Sequence, residues 1–169
     1  GHWHGHELVV VLSGIGKVAA ATTATALIER FRVDRIIFTG AAGGLAEGVS
    51  VGDVVVAHEL LQHDMDASPL FPRYEVPLTG LSRFPADAAL SRALLDAAHK
   101  ALADPAGELL DEKAALEFGL QPPLVHQGLI ISGDRFVSTR VESAALCQAL
   151  PDALAVEMEG AAVAQVCHD

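Results

Sequence analysis

The sequence is short of several kinds of residue, and each shortage excludes a class of protein. Only Cys147 and Cys167 are cysteines among 169 residues, and neither belongs to a CxxC or CxxH motif. We therefore expect no disulfide framework, no metal and no cofactor, and the cysteine usage is typical of a cytoplasmic protein. Aromatic residues make up 5% of a chain that is 51% hydrophobic, which predicts a single globular domain with an aliphatic core.

Basic residues are also scarce. The chain has 11 Lys and Arg against 22 Asp and Glu, a formal net charge of −11. Because such a surface repels phosphate groups, we expect neither nucleic acid nor an anionic membrane as a partner. The longest apolar stretch, residues 8–28, is interrupted by Ser13, Gly14, Gly16 and Lys17, so it does not predict a membrane span.

Short apolar runs rich in β-branched residues predict strands. We expect strands over residues 7–12, 35–39, 53–61, 124–132 and 153–158, the first two buried. The opening GHWHGH would form the other arm of a hairpin with the first strand, turning at His4-Gly5, and we interpret its histidines as incidental rather than as ligands.

Helical patterns separate these runs. We expect helices over residues 18–32, 86–102, 139–150 and 160–167, the third opened by a capping box at Thr139-x-x-Glu142. Residues 62–86 contain four prolines and predict a long loop, and residues 103–121 predict a polar connection with at least one helical turn. This alternation predicts an α/β fold whose strands are covered by helices on both faces.

Four strand ends carry glycine, small polar residues or carboxylates: SGIGK, TGAAGGL, SGDRFVST and VEMEG. Sheets of this class bind ligands at the carboxyl ends of their strands, so these segments predict one site. SGIGK is not a phosphate loop, because Val11 stands where the first glycine belongs and Val18 where a hydroxyl is needed. We interpret it as a tight turn that lets Ile15 border a pocket.

Three further motifs each have two interpretations. The glycines of GAAGGL (40–45) permit close approach of a flat ligand, or form a plain turn. Phe136 in GDRFVST can stack on a planar base or pack under its own loop. HDMD (63–66) offers a histidine and two aspartates to a metal, but no further ligand follows at a regular spacing.

VEMEG is the most informative motif, because a carboxylate that leaves water needs hydrogen-bond donors. The vicinal hydroxyls of a ribose are suitable donors. On a strand Glu157 and Glu159 would share one face, whereas a strand-to-helix turn would let Met158 and Glu159 both reach a ligand. The alternative is that the helix N-terminus alone attracts the negative charge.

VEMEGAAVAQVC, LSGIGKVAAA, FTGAAGGL, VGDVVVA and SGDRFV together resemble the methylthioadenosine/S-adenosylhomocysteine nucleosidases, of the purine nucleoside phosphorylase and nucleosidase superfamily. The resemblance runs from residue 1 to 169 and is weak only across 62–121. It implies a three-layer α/β/α sandwich around a mixed, twisted sheet, in a single domain that lacks the family's first strand and its C-terminal strand and helix. It also implies a homodimer.

The activity that the resemblance implies is hydrolysis of the N-glycosidic bond between adenine and a 5′-thio-substituted ribose. Phe136 would stack on adenine and the Val137 backbone would hydrogen-bond the base. Met158 would lie against the ribose and Glu159 would hold its 2′ and 3′ hydroxyls. The remaining positions concern the surroundings of the nucleoside: Glu157 would support a water or hydroxyl network, Ile15 would border the alkylthio pocket, and Ala42-Gly43 would pass close to the substrate.

This chain departs from the family in two ways. Ala41 stands where members often have Ser, and the family's water-activating Glu and purine-protonating Asp fall outside residues 1–169. We therefore expect turnover from the full-length protein and not from this chain alone. Phosphorylases of the superfamily carry an arginine where this chain has Phe38, so water is the expected nucleophile. A nucleosidase for futalosine-like or other modified purine nucleosides and a catalytically inactive nucleoside-binding protein are the alternatives.

Overall fold

A five-stranded mixed sheet organises the chain in a computed structural model that describes residues 1–103, 117, 119 and 121–169. The strands are β1 His2–Trp3, β2 His6–Glu7, β3 Gly43–Gly44, β4 Val54–Gln62, β5 Phe84–Pro85, β6 Val125–Ser132 and β7 Ala153–Glu157. The helices are α1 Lys17–Phe31, α2 Ala88–Ala103, α3 Arg140–Ala149 and α4 Gly160–His168.

Three parallel strands form the centre of this sheet. The strand order is β3-β7-β6-β4-β5; β4, β6 and β7 are parallel, and the two-residue edge strands β3 and β5 are antiparallel. β4 and β6 are apolar runs rich in Val, Leu and Ile, as strands covered on both faces should be. The predicted strands 53–61, 124–132 and 153–158 are confirmed to within one residue at each end.

The two faces of the central strands pack against different helices. Leu61, Leu129 and Ile131 join a buried cluster that Leu146 of α3 covers. Neighbouring residues point the opposite way, where Gln62 and Ser132 hydrogen-bond to α4. α1 packs on the outside of α4 through small side chains, Ala20 and Ala24 against Ala162 and Val163. The layers are therefore helix, sheet and helix, which confirms the predicted α/β class.

The four predicted helices are confirmed to within two residues at each end. α3 begins with the expected capping box, in which Thr139 Oγ1 accepts a hydrogen bond from the Glu142 N–H and the Glu142 carboxylate accepts one from the Thr139 N–H. α1 ends at Phe31, and the next residue, Arg32, has a left-handed backbone (φ 53°) and donates its N–H to the carbonyl of Ile28.

Two predicted buried strands are wrong. The hairpin turn at His4-Gly5 is confirmed, but its second strand is only His6–Glu7, and residues 8–12 and 35–39 form no strand. Leu12 is 95% exposed and Ile37 is 54% exposed. A strand needs a neighbour for its backbone N–H and C=O groups. Neither segment pairs with any strand that the structure describes, so an apolar, β-branched composition was not enough.

The loop predicted over residues 62–86 is confirmed in its length, but it contains a short strand that sequence did not predict. β5 pairs with β4 through Glu59 opposite Pro85 and Leu60 opposite Phe84. Phe84 is 1% exposed, which anchors the loop's end. Similarly, Gly43 and Gly44 of the predicted glycine turn pair with β7. The helical turn expected within 103–121 falls almost wholly outside the residues that the structure describes.

Candidate functional site at the carboxyl ends of β4, β6 and β7

The last residues of three parallel strands lie side by side. Gln62 of β4 pairs with Ser132 of β6, and Ser132 pairs with Glu157 of β7. The segments that follow each strand, HDMD, GDRFVST and MEG, therefore start at the same edge of the sheet. The four residues 13–16 reach this edge too, because Gly16 contacts Glu159. We call this edge the strand-end site.

Glu157 is bonded on both of its carboxylate oxygens. Oε1 accepts a hydrogen bond from Ser132 Oγ, and Oε2 accepts the N–H groups of Glu159 and Gly160, each at 2.7 Å. Ser132 is fully buried, and its Oγ in turn accepts the N–H of Ala161 at 2.7 Å. Together Ser132 and Glu157 satisfy the first N–H groups of α4, which have no partner within the helix.

Glu159 has a different environment. It is half-buried, and its Oε1 accepts the N–H of Gly16 at 2.7 Å across 143 residues of sequence. Its side chain forms no ion pair with the residues that the structure describes, and Oε2 accepts no hydrogen bond from them. Glu159 is the N-cap residue of α4, but its side chain makes no capping hydrogen bond to the helix. One oxygen of this half-buried carboxylate therefore has no hydrogen-bond partner among the described residues.

Gly16 must be glycine at this place. Its φ is +92°, a conformation that side chains with a Cβ rarely adopt, and an added Cβ would lie 3.0 Å from Asp134 Oδ1. The same Asp134 oxygen accepts the N–H of Lys17 at 2.7 Å. The carboxylate of the loop after β6 thus caps α1, which brings SGIGK and SGDRF together.

A hydrogen-bonded group that we call the strand-end cluster connects these loops: Lys17, Gln62, Asp64 and Asp134. Lys17 Nζ donates to Asp64 Oδ1 at 2.7 Å and to Gln62 Oε1 at 3.0 Å, while Asp64 Oδ2 accepts the Asp134 N–H at 2.9 Å. Burial alone would raise the pKa of Asp64, but the bonds from Lys17 and Asp134 outweigh it and hold that pKa below its ordinary value.

His63 packs against Gly133 beside the strand-end site. Burial lowers the pKa of its imidazole, and its Nε2 atom is buried without a hydrogen-bond partner among the described residues. A Cβ on Gly133 would lie 2.3 Å from that atom, so only glycine lets the ring approach. Of the two aspartates in HDMD, Asp64 binds Lys17 and Asp66 binds Ser68. In the described ranges no three His, Cys, Asp or Glu side chains form a metal cluster.

The GDRFVST loop is fixed on both sides of Phe136. Before it, the Gly133 N–H donates to the Glu157 carbonyl at 3.1 Å. After it, Val137 packs against the buried cluster of the sheet. Phe136 itself is 74% exposed. Packing under its own loop therefore does not account for this ring.

The remaining predicted residues lie around the same edge. Ile15 is 81% exposed and directly precedes Gly16. Met158, between Glu157 and Glu159 in the sequence, is half-buried. Gly43 pairs with Val156, one residue before Glu157, and Ala42 beside it is exposed. The structure thus brings all eight predicted positions to the end of the sheet that carries β7 and β6, without testing their individual roles.

Sequence reasoning missed the residues that hold these loops in place, which are Lys17, Gln62, Asp64, Ser132, Asp134 and Gln165. A signal was present for two of them. Gln62 and Ser132 are polar residues that end otherwise apolar strands, and they are 4% and 0% exposed. Buried polar side chains are nearly always hydrogen-bonded, so their position predicted partners at the strand ends. Gln62 Nε2 donates to Gln165 Oε1 of α4 at 2.7 Å.

Known proteins resemble this chain along its whole length. The family model described as the phosphorylase superfamily matches residues 1–169. The chain belongs to the phosphorylase superfamily. A relative in this superfamily, the 5′-methylthioadenosine/S-adenosylhomocysteine nucleosidase of Shewanella loihica, is 38% identical over 168 residues. That alignment covers 99% of this chain and 65% of the relative, so the chain spans about two thirds of that relative's length.

Two solved structures of superfamily members superpose on this chain. The methylthioadenosine/S-adenosylhomocysteine nucleosidase of Colwellia psychrerythraea 34H, in complex with adenine, has a TM-score of 0.77 and 35% identity, and the match covers 99% of this chain and 62% of that one. The futalosine hydrolase of Helicobacter pylori strain 26695 has a TM-score of 0.76 and 32% identity, covering 99% and 63%. These neighbours confirm the nucleoside phosphorylase-like fold. None of the described helices is long and apolar enough to cross a membrane.

Proposed function

We propose that the full-length protein is a purine nucleosidase. It hydrolyses the N-glycosidic bond of 5′-methylthioadenosine, S-adenosylhomocysteine or both, and releases adenine. The observation that carries the proposal is Glu159, a half-buried carboxylate at the strand-end site: its Oε1 accepts the Gly16 N–H, and its Oε2 has no hydrogen-bond partner among the described residues. The Shewanella loihica relative, with 38% identity, bears the name of this activity.

The chemistry of the bond explains why a carboxylate belongs there. Cleavage at C1′ builds positive charge on the ribose ring. A carboxylate that binds the 2′ and 3′ hydroxyls therefore interacts more strongly with the transition state than with the bound substrate, which accelerates the reaction. In this proposal Met158 lies against the sugar, and Ile15 and Ala42-Gly43 border the nucleoside.

The purine would lie on Phe136. Its ring is 74% exposed on a loop whose two ends are fixed, so a flat base can stack on it. Stacking of a base on an aromatic ring contributes about 1–3 kcal/mol. The related Colwellia psychrerythraea enzyme was solved in complex with adenine. The acid and base that complete the reaction are not assigned to residues of this chain.

Water is the proposed nucleophile rather than phosphate. Phe38 is apolar and lies shortly before the glycine turn, where an arginine would be needed to hold a phosphate dianion. Two cations of the strand-end loops are already paired, Lys17 with Asp64 and Arg135 with Glu142.

A nucleosidase for futalosine-like nucleosides is the second candidate, favoured by the likeness to the Helicobacter pylori futalosine hydrolase. A catalytically inactive nucleoside-binding protein is the third. We further propose that the protein is cytoplasmic and forms a homodimer. Light scattering of the purified protein at two concentrations tests the dimer.

The deciding experiment measures adenine release from methylthioadenosine, S-adenosylhomocysteine and futalosine by the full-length protein, with and without phosphate. We expect release from the first two without phosphate. Glu159→Gln should lower the rate at least about tenfold, which corresponds to about 1.4 kcal/mol in the barrier. Glu29→Gln, on the exposed end of α1, is the control. Strict dependence on phosphate would refute hydrolysis, and nucleoside binding without any release would favour the inactive protein.

A further inference from the structure

The two carboxylates of VEMEG have separate partners, although they are two residues apart. Glu157 uses both oxygens inside the protein, on Ser132 and on the N–H groups of Glu159 and Gly160. The Glu159 carboxylate accepts a single hydrogen bond among the described residues, from the N–H of Gly16. The attraction of a helix N-terminus for negative charge is therefore satisfied by Glu157, which leaves Glu159 outside that role.

Glu157 directly fixes the backbone that carries Glu159. The bond from the Glu159 N–H to Glu157 Oε2 is 2.7 Å long, and the next N–H, of Gly160, binds the same oxygen at the same distance. Two N–H groups on one oxygen hold the turn between β7 and α4 in one conformation. The side chain of Glu159 leaves the backbone at this turn, with φ −135° and ψ −42° at its Cα.

Ser132 extends this support to the neighbouring strand. Its hydroxyl donates to Glu157 Oε1 and accepts the Ala161 N–H at 2.7 Å. The residue is 0% exposed and lies at the end of β6, directly beside Glu157 in the sheet register. The turn is therefore anchored to the centre of the sheet. A substitution at Ser132 or Glu157 would shift Glu159 even if neither residue contacts a ligand.

We infer that Glu157, supported by Ser132, is a positioning residue: it holds the turn that presents Glu159 to the ribose hydroxyls and does not itself bind substrate. The inference rests on the proposed function, and it assigns Glu157 a different part from the water or hydroxyl network expected from the family resemblance. The physical basis is preorganisation. A carboxylate that stabilises positive charge in the transition state must be held in place before the reaction, because a loosely held one stabilises that charge less.

The test compares Glu157→Gln with Asp87→Ala in the full-length protein. Asp87 is the matched control because its carboxylate also caps a helix, α2, by accepting the N–H of Leu90 at 2.8 Å. Each variant is studied below its measured unfolding temperature. The ligands are free adenine and a methylthioadenosine analogue whose ribose is joined to the base by a carbon–carbon bond, so that it cannot be hydrolysed.

For Glu157→Gln we expect kcat to fall at least about tenfold and the analogue to bind about fivefold more weakly, while the Kd of adenine stays within about twofold. A general loss of structure would weaken both ligands together. Asp87→Ala should lower the unfolding temperature and leave kcat and both Kd values unchanged. If Glu157→Gln behaves as Asp87→Ala does, or weakens adenine as much as the analogue, the positioning role is refuted.

A double variant separates positioning from direct contact. If Glu157 acts only through Glu159, Glu157→Gln together with Glu159→Gln should be no slower than Glu159→Gln alone. Independent, multiplying losses would place Glu157 on the substrate and overturn the inference. Ser132→Ala offers the same comparison if Glu157→Gln folds poorly, with an expected fall in kcat of about three- to tenfold.

One readout does not depend on activity. Amide hydrogen exchange at Gly16 reports the bond to Glu159, and Glu157→Gln should speed this exchange while Asp87→Ala should not. If the wild-type protein releases no adenine, the proposed function fails. The exchange at Gly16 still decides whether Glu157 positions Glu159, and an unchanged rate there refutes it.

Discussion

Two regions of this chain have similar composition and different structures. Residues 8–12 and 35–39 are as apolar and β-branched as β6, yet Leu12 is 95% exposed whereas Leu129 of β6 is 1% exposed. β6 lies between β4 and β7, so its backbone is hydrogen-bonded on both sides. Composition therefore predicts which segments can form strands, whereas the presence of a neighbouring strand to pair with decides which segments do.

Truncating one leucine in each region tests this comparison directly and should give the largest difference in the free energy of unfolding. Leu129→Ala should lower the free energy of unfolding of the 169-residue chain by about 2–5 kcal/mol, because it removes a fully buried side chain from the core. Leu12→Ala, on an exposed side chain, should change it by less than about 0.5 kcal/mol. Urea denaturation followed by circular dichroism measures both. Equal losses would mean that residues 8–12 are packed in solution.

A smaller effect is expected when a methyl group is added rather than removed. Gly133→Ala places a Cβ 2.3 Å from His63 Nε2, so the ring must move and the protein should lose about 1–3 kcal/mol of stability. Gly40 directly follows the unpaired segment 35–39, and a Cβ added there would meet only the Phe38 ring, at 3.7 Å. We expect a change within about 0.5 kcal/mol for Gly40→Ala. Thermal unfolding of both variants measures this difference. A Gly133→Ala variant as stable as wild type would show that the His63 ring is not closely packed against Gly133.

The smallest effect concerns pH and the strand-end cluster. Because the folded-state pKa of Asp64 lies below the 3.8 of an unperturbed aspartate, its ionised form stabilises the fold above that pH. This contribution is lost as the pH falls through the lowered pKa. Asp64→Asn should therefore be less stable than wild type near neutral pH, and the difference should shrink below about pH 4.

Urea denaturation midpoints between pH 3 and pH 7 measure that difference, with Asp96→Asn on the exposed face of α2 as the control. A gap between wild type and Asp64→Asn that stays constant across this range would show that Asp64 contributes nothing through its charge.

Much of the fold could be predicted because several signals are local. The capping box of Thr139 and Glu142 and the apolar runs of β4 and β6 lie within short windows of sequence. Strand pairing is not local, so residues 35–39 were predicted to form a buried strand but form none and are exposed except at Ile36, and the pairing of Phe84 in β5 was missed. The sequence of a segment does not show which other strand will lie beside it after folding.

The same limit applies to the strand-end site. Glu157, Met158, Glu159 and Phe136 could be located from the strand ends that carry them. Nothing local indicated that Glu157 would bind Ser132 or that Lys17 would bind Asp64, because these bonds join residues 25 and 47 positions apart. Their partners are set by sheet register, which places the strand ends side by side only after folding.

The anchoring of the GDRFVST loop has a consequence for how a ligand would enter. The backbone is held at Gly133 and Asp134 on one side and at Thr139 on the other, while the ring of Phe136 stands free between them. Under the proposed function, a base that stacks on this ring would restrict its two torsions, at a cost of about 0.5–1.5 kcal/mol, while the backbone on both sides of the ring is already held. Docking at this ring should accordingly require no rearrangement of the backbone of residues 133–139.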